Sequence, residues 1–66
     1  MYPNVIAEMA RRKITLEIVA PLVNMTIATL SKKLNGESIL TLNEAKILRD
    51  VVAPDMLIDE LFEEAS

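Results

Sequence analysis

The stretch Thr15-Leu16-Glu17-Ile18-Val19-Ala20-Pro21-Leu22-Val23-Asn24-Met25-Thr26-Ile27-Ala28-Thr29-Leu30-Ser31-Lys32-Lys33-Leu34-Asn35-Gly36 decides the fold of this 66-residue chain. It is punctuated as two short helices separated by a turn. Thr15 is a good N-cap, because its hydroxyl can accept a backbone N–H from the first helical turn. The helix it opens is expected to run to about Val23. Asn24 and Met25 then make a short turn, and Thr26 caps a helix that runs to Leu34. Gly36, the one glycine in the chain, stands where a left-handed residue closes a helix C-terminus.

The same punctuation extends in both directions. Pro3 and Asn4 open a first helix with Val5, Ile6, Met9 and Ala10 at 3.6-type spacing. Arg11, Arg12 and Lys13 gather at its C-terminal end, where cations suit the helix dipole. Downstream, Thr41-Leu42-Asn43-Glu44 is a capping box, in which Thr41 and Glu44 satisfy each other's backbone N–H groups. The fourth helix it opens carries Leu42, Ala45, Leu48 and Val52 on one face and stops at Ala53, because a residue before proline is pushed out of the helical region. Asp55 is read as the cap of a last helix with Ile58, Leu61 and Phe62, followed by a fraying acidic end, Glu63 to Ser66. No segment alternates long enough to be a strand. The expectation is all-α: one domain, residues 1–66, a compact bundle of five short helices.

Composition narrows the chemistry. There is no cysteine, histidine or tryptophan. That leaves no thiolate nucleophile, disulfide, zinc finger or imidazole base, and no cofactor or metal is expected. Hydrophobic residues are 52% of the chain but aromatics only 3%, an aliphatic surplus in a domain so small that surface should dominate. Residues 1–36 hold five basic and two acidic side chains, a net +3; residues 37–66 hold two basic and eight acidic, a net −6. An isoelectric point near 4.7 argues against non-specific adhesion to nucleic acid or anionic membrane. No apolar run approaches the roughly 18 residues that span a bilayer, and the N-terminus lacks the pattern of a signal peptide, so a cytoplasmic location is expected.

Two short helices joined by a three- to four-residue turn outline a helix-turn-helix. The residues Ile14-Thr15, Val19-Ala20, Val23, Met25-Thr26 and above all Leu30-Ser31-Lys32-Lys33-Leu34-Asn35-Gly36 resemble the lambda-repressor/Cro-like helix-turn-helix family of small phage and bacterial regulators. Thr41-Leu42-Asn43-Glu44-Ala45 fits as well, and the likeness spans about residues 4–62. The resemblance implies that Ala20 is the small residue that lets the two helices approach. It also implies that Val19, Val23, Met25, Leu30 and Leu34 fill the core.

It further implies that the start of the third helix faces a DNA major groove, where polar or basic side chains read base edges. Here those positions hold Ile27 and Ala28, which offer no hydrogen bond, and a phosphate-facing position of the second helix holds Leu16. On a helical wheel Leu16, Val19, Ala20 and Val23 share the inner face of the second helix, and Ile18, Pro21 and Leu22 fall at i, i+3, i+4 on the opposite side. Periodicity alone lets Leu16 and Ile27 be core, and only the resemblance places them at the DNA-facing edge. Lys13 sits where such sequences often end a helix with glycine, at a cost on the order of 1 kcal/mol for a left-handed non-glycine residue. Pro21 inside a helix removes the bond to the Glu17 carbonyl.

Leu16, Ile18, Pro21, Leu22, Ile27 and Ala28 therefore form a candidate protein-binding patch with Lys32, Lys33 and Glu17 as a polar rim. The bland alternative is a short helix covered on every side by its neighbours. Ile47 and Val51 either extend the patch or pack against the last helix. The partner read from the patch is another protein or a second copy of the chain, as in a homodimer, and no membrane. A scaffold that keeps its core but lacks its readers is consistent with an engineered surface.

The alternative function is a DNA-binding regulator of the Cro/repressor type, positioned by Arg12, Lys32 and Lys33 and reading weakly through Thr29, Ser31 and Asn35. Those cations read equally well as solvated helix ends. The acidic cluster Asp55, Asp59, Glu60, Glu63 and Glu64 reads as a solvated face rather than a metal site. Met25 and Met56 read as core filler or as an adaptable contact surface. No catalytic residue is expected, since only a lysine or a carboxylate is left to do chemistry.

Overall fold

A computed structural model describes residues 2–64. It is all-helical, with α1 at Pro3–Arg11, α2 at Leu16–Leu22, α3 at Ile27–Leu34, α4 at Leu42–Val52 and α5 at Ile58–Leu61, and no strand among the described residues. Threonine opens three of the helices. The hydroxyl oxygens of Thr15, Thr26 and Thr41 accept the backbone N–H of Ile18, Thr29 and Glu44 at 3.4, 3.1 and 3.2 Å. At α4 the capping box is complete, with the Thr41 N–H donating to Glu44 Oε1 at 3.0 Å.

The first three helices also end alike. Lys13, Asn24 and Gly36 are left-handed, at φ 57°, 58° and 82°. After each of them the next N–H reaches back five residues: Ile14 to Met9, Met25 to Ala20 and Glu37 to Lys32, at 2.8, 2.9 and 2.9 Å. These are Schellman closures, and the apolar residue that follows the first two, Ile14 and Met25, folds back onto the core. Lys13 therefore bears the conformational cost that glycine would avoid. Pro21 lies one residue from the end of α2 on its exposed side, and Glu17, whose carbonyl loses its partner, is exposed to water.

Inside, Val5 and Met9 of α1, Val19 and Ala20 of α2, Leu30 and Leu34 of α3, Leu48 and Val52 of α4 and Leu61 of α5 form one apolar cluster with no buried polar side chain among the described residues. α2 packs on α3 and α4, while α5 closes the bundle against α1 and α4. Tyr2 meets Phe62 edge-on at 5.5 Å, and Asn4 Nδ2 donates to the Glu60 carbonyl at 2.7 Å, tying the two ends of the domain together. Arg49 donates to the Met56 carbonyl at 3.3 Å, which ties α4 to the turn before α5.

Three expectations need correction. Leu42 does not share the inner face of α4: as the first helical residue it lies beyond the core and is 66% exposed. Ile6 and Ala10 lie on the outer edge of α1, leaving Val5 and Met9 as its buried pair. Asp55 does not cap α5, which begins at Ile58 with Leu57 ahead of it. Pro54 and Asp55 form a turn, and the Asp55 carboxylate is drawn to the Arg12 guanidinium at 2.8 Å instead. Met25 and Met56 are half-buried against the core, as core filler would be, and Val51 packs there too while Ile47 stays exposed. Of the acidic end, Ala65 and Ser66 lie outside the described residues.

Candidate protein-binding surface

The helical register of α2 turns Val19 and Ala20 inward and leaves the opposite side to water. Ile18 is 50% and Leu22 63% exposed, with Pro21 exposed between them in sequence. In the first turn of α3, Ile27 is 46% exposed and Ala28 is also exposed. Five of the six candidate patch residues are thus on the surface, so the covering of α2 on every side does not occur. Leu16 differs: it is half-buried and packs on the core.

Leu16 instead belongs to a groove that sequence reading did not find. The hollow has a volume of about 360 Å³ and runs between α1, the start of α2 and the C-terminal half of α3. Ile6, Met9 and Ala10 form one wall, Ile14, Thr15 and Leu16 the end, and Ser31, Leu34 and Asn35 the other wall. The only advance signal was that Ile6 and Ala10 of α1 are apolar yet lie off its buried face. A second hollow, about 450 Å³ and more polar, lies among Tyr2, residues 36–40 and Glu64.

The cations proposed for phosphate contact are largely engaged elsewhere. Lys33 Nζ donates to both carboxylate oxygens of Glu44, at 2.7 and 2.8 Å, with the two side chains 15% and 25% exposed. That contact, followed by the Thr41 N–H, holds the Glu44 carboxyl below the usual glutamate range. Arg12 sits between Glu8 Oε1 at 3.0 Å and Asp55 Oδ1 at 2.8 Å, and Arg11 also pairs with Glu8. Hydrogen bonding from Arg11 first and Arg12 next lowers the Glu8 pKa, and Arg12 lowers that of Asp55. Lys32 is exposed and makes no ion pair among the described residues. Thr29 and Asn35 are exposed, Ser31 is half-buried, and the Thr26 hydroxyl donates to Thr29 Oγ1 at 2.9 Å while capping the helix. Glu17, on the proposed rim, is exposed.

Among the described residues no three acidic side chains converge as a metal site. No helix is long and apolar enough to cross a membrane. No family model, curated protein or solved structure matches the chain.

Proposed function

We propose that this chain is a non-enzymatic protein-binding or self-associating module on a lambda-repressor/Cro-like helix-turn-helix scaffold. Its contact surface is the outward stripe of α2 with the first turn of α3, where that family reads DNA. The observation that carries the reading is the exposure of Ile18, Leu22 and Ile27 on helices whose core is complete without them. A contiguous exposed aliphatic patch marks protein contact in a small domain. Ile18, Pro21, Leu22, Ile27 and Ala28 form the contact, and Lys32 and Glu17 border it.

The DNA-binding reading is weakened by the commitment of Arg12 and Lys33 to Glu8, Asp55 and Glu44. Of its proposed phosphate contacts, Lys32 is left without an internal partner among the described residues. Sedimentation of the wild-type chain over a concentration series, beside Ile27→Asp and Leu22→Asp, tests self-contact. Chemical crosslinking in whole cells, compared between the same proteins, tests contact with another protein. The expected result is association that both substitutions remove and that persists as salt rises. Salt-sensitive binding to duplex DNA, with both substitutions silent in protein association, overturns the proposal.

A further inference from the structure

We infer that the groove between α1, the start of α2 and the end of α3 is a docking site for an acidic amphipathic helix of another protein. This surface is distinct from the α2 stripe, which it adjoins at Leu16 and at the bordering Glu17 and Lys32. Three observations converge on it. First, the walls are mainly aliphatic, from Ile6, Met9, Ile14, Leu16 and Leu34, and no carboxylate lines them. Apolar anchors at i, i+3, i+4 and i+7 of a helix fit such a groove.

Second, free cations flank it. Lys13 and Lys32 are exposed and adjoin the lining residues Ile14 and Ser31 in sequence. Lys13 and Lys32 have no ion-pair partner among the described residues, whereas Arg11, Arg12 and Lys33 do. Glu8, beside the lining residue Met9, is held between two arginines, which leaves Glu17 on the α2 flank as the opposing acid nearest in sequence. Exposed cations around an apolar floor favour a partner with acidic flanks.

Third, the groove offers no strand edge, because the elements that wall it are helices and their closing turns. An extended peptide would leave its own backbone groups without partners there, whereas a helix arrives with them already satisfied.

The test is a titration of the isotopically labelled chain with synthetic helices of about 18 residues, long enough to hold helical structure. One peptide carries leucines at i, i+3, i+4 and i+7 with glutamate elsewhere; a second replaces glutamate by lysine; a third shuffles the first. The expected result is saturable binding of the acidic amphipathic peptide alone, with amide shifts centred on Ala10, Ile14, Leu16, Ser31 and Asn35. Binding should weaken about tenfold in the double variant K13E/K32E, which reverses only exposed charges. I6D should weaken it at least as much, and L22D, which strikes the α2 stripe, should leave it unchanged. No saturable binding overturns the inference, as does equal binding of the lysine or shuffled peptide. Shifts confined to other residues, or indifference to K13E/K32E, overturn it too. So does self-association in sedimentation that I6D abolishes, or the same amides shifted by duplex DNA and not by peptide. L22D abolishing self-association while leaving peptide binding intact separates this surface from the one proposed above.

Discussion

Replacing Lys33 by methionine asks whether this lysine belongs to the fold or is free for a phosphate. Its ammonium spans α3 to α4 and contacts both oxygens of Glu44, whose Oε1 also accepts the Thr41 N–H of the capping box. At 15% and 25% exposure the pair lies between two limits. Exposed ion pairs contribute about 0.2–1 kcal/mol, and breaking a fully buried one costs about 3–5 kcal/mol. The expected loss for Lys33→Met is therefore about 1–2 kcal/mol, which in a domain of this size lowers Tm by roughly 4–15 °C. Glu44→Gln should cost a similar amount, and the double variant little more, since both remove one interaction.

The pH dependence has a definite sign. The folded Glu44 pKa lies below its unfolded value, so its contribution is complete above the ordinary glutamate range and disappears as pH falls through the folded pKa. The gap between wild type and Lys33→Met should accordingly close in acid. Urea titrations followed by circular dichroism at neutral pH and near pH 3 measure both quantities. A coupling below about 0.3 kcal/mol, within ordinary additivity, or a gap that does not change with pH, would refute the assignment and return Lys33 to the set of free cations.

Lys13→Gly should stabilise the chain by about 0.5–1 kcal/mol, because glycine adopts the left-handed closure of α1 without the Cβ clash, offset in part by its unfolded-state entropy; thermal denaturation reads the gain. Pro21→Ala restores a donor for the Glu17 carbonyl and should raise the urea midpoint, which a urea titration followed by circular dichroism reads. Leu30→Ala, at a position wholly enclosed, should cost about 2–5 kcal/mol, while Leu22→Asp, 63% exposed, should stay within about 0.5 kcal/mol of wild type in the monomer; equal losses at the two sites would contradict the division into core and surface.

Threonine caps were legible because a hydroxyl at the right offset acts on its own helix. Thr15, Thr26 and Thr41 each cap the helix expected of them. Asp55 looked equally suitable as a cap and failed, because Arg12, 43 residues away in sequence, claims its carboxylate. Leu42 fitted the periodicity of α4 and failed for another reason: a wheel gives direction around a helix but not how far along it the core extends. The outward α2 stripe was legible from its spacing to Val19 and Ala20. The groove was not, since its walls come from three helices and no single segment shows it.

By itself the amino-acid sequence determined the five helices, most of their ends, and which side of α2 faces inward. These follow from interactions within a few residues: caps, left-handed closures and the 3.6-residue period. Tertiary structure alone decided which charges remain free. Arg12 and Lys33 look identical in sequence to Lys13 and Lys32, and only packing brings Asp55 and Glu44 against the first two. It also decided that Leu16, with Ile6 and Ile14, walls a groove built from three helices. Coulomb attraction and apolar burial act on proximity in space, which chain order does not supply.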